Sequence, residues 1–392
     1  MAGQNTDENN SNNNHKILAD YGSSPAEITE LLTYVNNSFN SSNSPAYPPE
    51  LPTFPLASEP HISAWERYYL QGQKIGVFPA LHSALVQLQF PIQSGISETD
   101  NYRAATRKGY LTQGMAEATG LKLAQPENLE LILHQTLVGK IPVIIAGCRA
   151  DFVSLVQALT KRNEPVNIPD SMGATIVAGF NNWERIRYYR QEWESQQLTP
   201  PTDAQWQAEF QRMKTQKHLY QDSFIILSRG NYSAVTAPEL GLDESEWLRL
   251  SLIIRLEHEC CHYFTKRVFG AMRNNMLDEL IADYQGIVAA NHGCYRADWF
   301  LRFVGLENFP KYRQGGRLEN YRGQPPLSDG AFQILQVLVK DAAQNLEKLH
   351  SQYQTKLNSP TSQAKLLASL SGLSLVDLAA NIEFIHTVSL HN

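Results

Sequence analysis

The sequence predicts an α+β fold, in which an α/β amino-terminal region precedes a carboxy-terminal region dominated by helices. Between residues 141 and 194, short apolar runs typical of strands alternate with helical patterns. From about residue 243 onward, apolar residues recur at helical spacing. A chain of 392 residues, 42% of them hydrophobic, can form one large or two ordinary domains.

The first 60 residues are predicted to be a disordered tail and a Pro-rich linker around one short helix. Residues 1–15 and Asn36–Ser44 contain few apolar side chains to bury, and prolines are frequent from Pro45 to Pro60. A helical pattern occurs near Pro25–Val35. We therefore expect residues 1–14 to be dispensable for activity.

Residues 61–200 are predicted to form the α/β region, and the sequence indicates no role for it. The expected strands are Ile141–Gly147 and Ala174–Phe180. The expected helices are Asp151–Lys161 and Asn182–Glu194. Each strand is followed by a helix, as is typical of α/β units.

Residues 201–392 are predicted to begin with a strand at Phe224–Ser228 and to continue as helices. The first helix has Asp243 at its start, with Glu246 placed to complete a capping box, and Gly270 at its end. The predicted helices run from Asp243 to Gly270, from Asn275 to Gly293, from Asp329 to His350 and from Ser362 to Phe384.

Charge and cysteine content exclude several classes of protein. The formal net charge is -6 and no basic run occurs, so we expect no nucleic-acid partner. The Asn-rich amino terminus lacks the features of a secretion signal, and no apolar stretch approaches the roughly 18 residues of a membrane span. The four cysteines include the adjacent pair Cys260 and Cys261, which does not resemble a disulfide framework. These features predict a cytoplasmic protein without a membrane partner, and they leave the oligomeric state open.

A His-Glu-x-x-His motif lies inside the first long helix, at His258, Glu259 and His262. Two histidines four residues apart on a helix differ by only about 40° around its axis, so both imidazoles can bind one metal ion. Glu259 lies to the side of the pair, where its carboxylate can act on a water molecule without ligating the metal. The motif therefore predicts a catalytic zinc site.

The next helix can supply the third ligand that a catalytic zinc ion requires. Glu279 and Asp283 lie four residues apart on one face of that helix, and Glu279 follows His262 by 17 residues. One carboxylate can bind the metal while the other accepts a hydrogen bond from a ligand histidine. Asp278 lies about 100° from Glu279 around the helix axis, so it is not expected to bind the metal.

These paired helices resemble those of the gluzincins, the thermolysin-like branch of the zincin metallopeptidases, over about residues 220–293. The resemblance implies that Glu279 is the third zinc ligand and that Asp283 is the partner of His258. It also implies a zincin-like core with an edge strand before the first helix, whose exposed edge pairs with extended peptide substrates. Phe224–Ser228 is in the corresponding position.

Other residues invite competing interpretations. Cys260 and Cys261 are expected to be small buried residues rather than ligands, and no base is evident for Cys148. Around Gly315 and Gly316, three arginines could bind a substrate carboxylate, although a solvated loop is the preferred interpretation: Arg313, Arg317 and Arg322. Three residues are candidates for substrate contact or oxyanion stabilisation: His292, Tyr295 and Tyr321.

The sequence thus favours a zinc metallopeptidase or amidohydrolase that acts on a peptide or a small amide. Zinc would activate water, and Glu259 would act as the general base. A site with two histidines and one carboxylate also suits non-haem Fe(II), so an oxygenase is the main alternative. The second alternative is a metal-binding protein without catalytic activity.

Overall fold

The computed structural model describes residues 13–36, 51–273 and 275–380. The strands are β1 (Glu130–Thr136), β2 (Gly139–Ile145), β3 (Ala174–Asn181) and β4 (Gln221–Leu227). The helices are α1 (residues 13–20), α2 (Pro25–Tyr34), α3 (Ile62–Ile75), α4 (Val77–Ala84), α5 (Asp100–Lys108), α6 (Arg149–Thr160), α7 (Trp183–Ser195), α8 (Asp203–Lys214), α9 (Ala237–Leu240), α10 (Glu244–Phe269), α11 (Met276–Ala290), α12 (Ala297–Val304), α13 (Asp329–Tyr353), α14 (Pro360–Ser371) and α15 (Leu375–Ala380). The predicted α+β class is confirmed.

The described chain forms two compact units, which divide after Leu56 and after Gly230. The sheet unit, Ala57–Gly230, is one continuous segment that contains all four strands. The helical unit combines the residues before Ala57 with those from Asn231 onward. The sequence instead placed boundaries near residues 60 and 200.

The sheet unit is built around a four-stranded sheet of order β1-β2-β4-β3. The β1–β2 and β3–β4 pairs are antiparallel, whereas β2 and β4 are parallel. β4 is buried over almost its whole length, as a strand covered on both faces should be. Helix α3 packs on β1 and β2, and α6 packs on β3 and β4.

The position of β4 corrects the expectation of an edge strand at Phe224–Ser228. Ile225 pairs with Val143 of β2 on one side and with Ile176 of β3 on the other. Both hydrogen-bonding edges of β4 are therefore occupied, so it cannot add a substrate strand. Its two partner strands also explain why it belongs to the sheet unit and not to a carboxy-terminal region that starts at residue 201.

Helices α10 and α11 form the centre of the helical unit, and Gly286 allows them to approach closely. A Cβ atom at Gly286 would lie 2.7 Å from the carbonyl oxygen of Ile254, so only glycine fits against the α10 backbone there. The predicted end of α10 is observed, since Gly270 follows it in the left-handed conformation. Asp243 is the N-cap residue, but its side chain makes no capping hydrogen bond, so the predicted capping box is wrong.

The amino-terminal segment is packed over residues 13–35, whereas the sequence predicts a mobile tail around one helix. The predicted helix is present as α2, and a second helix, α1, precedes it. Leu18, Ile28 and Leu31 are buried, and Tyr21 donates a 3.0 Å hydrogen bond to Asp341 of α13. These few apolar residues are enough to dock the segment on α13. The remaining tail residues, 1–12 and 37–50, lie outside the described chain.

The last predicted helix is observed as two helices, α14 and α15, because the chain bends at Gly372–Ser374. Ser374 accepts a hydrogen bond from the backbone N–H of Asp377 and so starts the second helix. Residues 381–384 of the predicted helix lie outside the described chain. Among the described residues, no helix is long and apolar enough to cross a membrane.

Candidate metal centre

The predicted ligands lie together where α10 and α11 pack side by side. His258 and His262 project from one face of α10, as the four-residue spacing requires, and Glu279 faces them from the first turn of α11. Asn275 caps that turn by accepting a hydrogen bond from the N–H of Asp278. All three ligand side chains are largely or completely buried.

The separations between the donor atoms match those around one tetrahedral ion. The two histidine Nε2 atoms are 3.1 Å apart. The Glu279 oxygens lie 3.6 Å from Nε2 of His258 and 3.5 Å from Nε2 of His262. Zinc bonds of about 2.0–2.1 Å at tetrahedral angles require donor separations of about 3.3 Å. The three residues therefore fit a zinc ion without large movement.

The charges at this cluster are strongly coupled. Burial alone would raise the pKa of Glu279, but His258 and His262 hold it well below its usual range. Burial lowers the pKa of His262, yet the hydrogen bond and charge of Glu279 outweigh this effect and raise it to about 9. A buried anion facing two imidazoles is an arrangement that a divalent cation would stabilise further.

Asp283 lies one turn beyond Glu279 and contacts the back of His258. Its carboxylate is fully buried and lies 2.8 Å from Nδ1 of His258. This contact leaves Nε2 of His258 for the metal, because a carboxylate accepts the proton carried on Nδ1. Arg317 and His258 hold the pKa of Asp283 below its usual range although burial raises it.

Tyr232 and Arg317 complete the surroundings of Asp283. The Tyr232 hydroxyl donates a 2.5 Å hydrogen bond to Asp283, and the guanidinium of Arg317 forms an ion pair with the same carboxylate. Arg317 also donates a 2.9 Å hydrogen bond to the Tyr232 hydroxyl. Burial raises the pKa of Tyr232 well above its usual range, so the hydroxyl stays protonated and remains a donor.

Tyr321 is the one proposed substrate contact that reaches the ligand cluster. Burial, together with the nearby charge of Glu279, raises the pKa of the Tyr321 hydroxyl. His292 is exposed after the end of α11. Tyr295 is buried, and its ring centroid lies 5.1 Å from that of Tyr284. The contacts found for His292 and Tyr295 do not place either beside the three ligands.

Glu259 and Asp278 are close to the cluster without belonging to it. Glu259 is 8% exposed, and its charge contributes to the raised pKa of His262. Asp278 is turned toward Arg273, with which it forms a 2.7 Å ion pair. The orientation of Asp278 therefore agrees with the expectation that Glu279 faces the histidines instead.

The remaining candidates have structural surroundings. Cys260 and Cys261 are buried, and burial raises the pKa of both thiols, which fits their interpretation as small packed residues. Arg313 pairs with Glu307 at 2.7 Å. Arg322 pairs with Glu319 at 3.1 Å and also with Asp329.

A family model described as a family of unknown function (DUF7005) matches residues 16–382, which is most of the 392-residue chain. The chain belongs to this family. No curated protein and no solved structure matches it. The match of the DUF7005 model spans both units.

Sequence reasoning about this DUF7005 chain missed Tyr232 and underrated Arg317. Tyr232 lies in a short turn and Arg317 in a glycine-rich loop, and 85 residues separate them. Neither has a motif spacing that ties it to α10 or α11. The available signal for Arg317 was that Asp283, as the expected partner of His258, would need a cation nearby if it were buried, because buried carboxylates are rarely unpaired.

Proposed function

We propose that this protein is a zinc-dependent hydrolase of peptide or amide bonds. The observation that carries the proposal is the geometry of His258, His262 and Glu279, whose donor atoms lie at separations suited to one tetrahedral ion. Within the described chain, this cluster offers three ligand residues. Structural zinc sites usually have four protein ligands, whereas catalytic sites have three and leave a position open.

The residues around this set suit hydrolysis. When bound, zinc supplies a Lewis acid that polarises a carbonyl and lowers the pKa of water toward about 7. Glu259 would accept the proton of the attacking water and pass it to the leaving amine. Asp283 would hold His258 in the tautomer that binds the metal. Tyr321, which lies near Glu279 and is partly exposed, would be a candidate for contact with a bound substrate.

The replacement Glu259→Gln tests the proposal. Glutamine keeps the size of the side chain but cannot act as a base, so zinc content should match that of the wild type. Cleavage of a fluorogenic peptide library should fall by roughly 10²-fold to 10⁴-fold. Zinc per chain is measured by mass spectrometry of the same samples that are assayed.

The matched control is Glu246→Gln, which removes an exposed carboxylate from the first turn of the same helix. Both zinc content and cleavage should stay at wild-type values in that variant. Full zinc occupancy with undiminished cleavage in Glu259→Gln would overturn the proposed mechanism.

A further inference from the structure

We propose that helix α2 is a positioning element of the metal centre and that Tyr34 supports Asp283 and His258 through the Tyr321 loop (residues 317–328). The proposal rests on metal binding by His258, which is part of the proposed function. It assigns a role to an amino-terminal segment that the sequence predicts to be a mobile tail.

Tyr34 lies where α2, the Tyr321 loop and the start of α11 meet. Its hydroxyl donates a 2.6 Å hydrogen bond to the backbone carbonyl of Tyr321. Tyr34 also lines a small cavity together with Asn275, Met276 and Leu277, at the first turn of α11. A change at Tyr34 therefore acts first on the Tyr321 loop.

Helix α2 holds the Tyr321 loop at two further points. Glu30 accepts a 2.8 Å hydrogen bond from the backbone N–H of Ser328. The ring of Tyr34 packs against Gly323, where a Cβ atom would lie 3.1 Å from the ring. Gly323 has a φ of 89°, which disfavours other residues as well. The loop is therefore shaped to receive α2.

The same loop carries Arg317, which pairs with the buried carboxylate of Asp283. Asp283 in turn lies 2.8 Å from Nδ1 of His258. A shift of the loop would therefore disturb the partner of a proposed metal ligand. Tyr34 is a positioning residue in this arrangement, because it acts on His258 through the loop, Arg317 and Asp283.

The inference predicts reciprocal coupling between metal binding and docking of α2. If α2 stabilises the metal-binding arrangement, then bound metal must stabilise docked α2 by the same free energy. Zinc should therefore slow hydrogen–deuterium exchange in residues 25–34 of the wild-type chain. Residues 62–75, which form α3 in the sheet unit, provide the internal comparison and should show no change.

The variant Tyr34→Phe tests the hydroxyl directly. Zinc affinity, measured by competition with a chromophoric chelator, should fall by about 3-fold to 10-fold. This is less than the roughly 10-fold to 100-fold loss typical of residues bonded directly to a ligand. In an Asp283→Asn background the same replacement should have a smaller effect, because its action passes through the ion pair of Arg317 and Asp283.

The matched control is Tyr21→Phe, which removes a hydroxyl that ties α1 to Asp341 and to the carbonyl of Ala379. It removes hydrogen bonds beside α1 and leaves the contacts of α2 with the Tyr321 loop intact, so zinc affinity should not change. Equal zinc affinity in wild type and Tyr34→Phe, or zinc-independent exchange in residues 25–34, would overturn the inference while leaving the proposed function standing. A wild-type chain that binds no zinc would overturn both.

Discussion

Asp283 is the residue on which the contacts around the candidate metal centre converge. Its buried carboxylate meets the ring of His258, the hydroxyl of Tyr232 and the guanidinium of Arg317. Breaking one partner of a buried ion pair leaves the other charge without compensation and typically costs about 3–5 kcal/mol. Asp283 therefore contributes both to stability and to the orientation of His258.

For Asp283→Asn we expect a lower free energy of unfolding and a zinc affinity reduced by about 10-fold to 100-fold. The amide keeps the shape of the side chain but removes the charge that pairs with Arg317. Urea denaturation and chelator competition measure the two effects separately. A wild-type zinc affinity in this variant would show that Asp283 does not orient His258.

The control for this prediction is Asp278→Asn. Asp278 is a second buried carboxylate on α11, and it also pairs with an arginine, Arg273. Its free energy of unfolding should also fall. Its zinc affinity should change much less, because Asp278 faces Arg273 and not a histidine.

At the scale of single residues, the sequence was informative where local spacing determines geometry. The four-residue intervals in α10 and α11 predicted which side chains share a face, and His258, His262 and Glu279 do lie together. The contacts of Tyr232 and Tyr34 could not be predicted, because they join segments 51 and 287 residues apart in the chain. Such contacts depend on tertiary packing and leave no local pattern.

Among the elements, the α10 and α11 pair determines whether the ligand residues can meet. Gly286 lies three residues beyond Asp283, where the backbone of α11 approaches that of α10 at Ile254. Its missing side chain allows the two helices that carry the ligand residues to pack closely.

The replacement Gly286→Ala should force the two helices apart. Alanine favours a helix intrinsically, but its Cβ atom would lie under 3.0 Å from the backbone of Ile254, so the main chain must shift. We expect a loss of about 1–3 kcal/mol in the free energy of unfolding, as overpacking usually causes, together with weaker zinc binding. Thermal unfolding with and without zinc checks both effects.

Ala289→Ser provides the comparison on the exposed face of α11. It should change the free energy of unfolding by less than about 0.5 kcal/mol and leave zinc binding intact. A Gly286→Ala variant as stable as wild type would contradict the account of helix packing.

Element positions were predictable where capping residues mark them. Asn182 accepts hydrogen bonds from backbone N–H groups at the start of α7, and Gly270 closes α10, as their residue types indicate. The place of β4 in the sheet was not predictable, because an apolar run of five residues does not reveal which strands flank it. The bend at Gly372 was also missed, since apolar residues continue on both sides of it.

At the scale of the whole molecule, the sheet unit is inserted into the chain of the helical unit. Residues 57–230 separate the two parts of the helical unit. Helices α1 and α2 lie before this insertion, and the candidate metal centre lies after it. Both apolar cores of the sheet unit consist of residues within this segment. The sequence did not indicate this organisation, because a change in composition can mark a boundary but does not reveal that segments on either side of an insertion pack together.

We expect a fragment of residues 57–230 to fold independently and to unfold cooperatively in urea. A fragment of residues 61–200, which follows the boundaries predicted from the sequence, should not fold. It lacks β4, whose Phe224 and Ile226 fill the core and which joins β2 to β3. Circular dichroism during urea titration compares the two, and an unfolded 57–230 fragment would contradict the division into units.

The metal content of the purified chain tests the central claim most directly. Mass spectrometry of protein prepared without added metal or chelator gives the identity and the amount of each metal per chain. The account predicts about one zinc ion per wild-type chain. It predicts almost none in the double variant His258→Ala, His262→Ala. Iron in place of zinc would favour an oxygenase, and a zinc content that the double variant leaves unchanged would contradict a metal centre at this site.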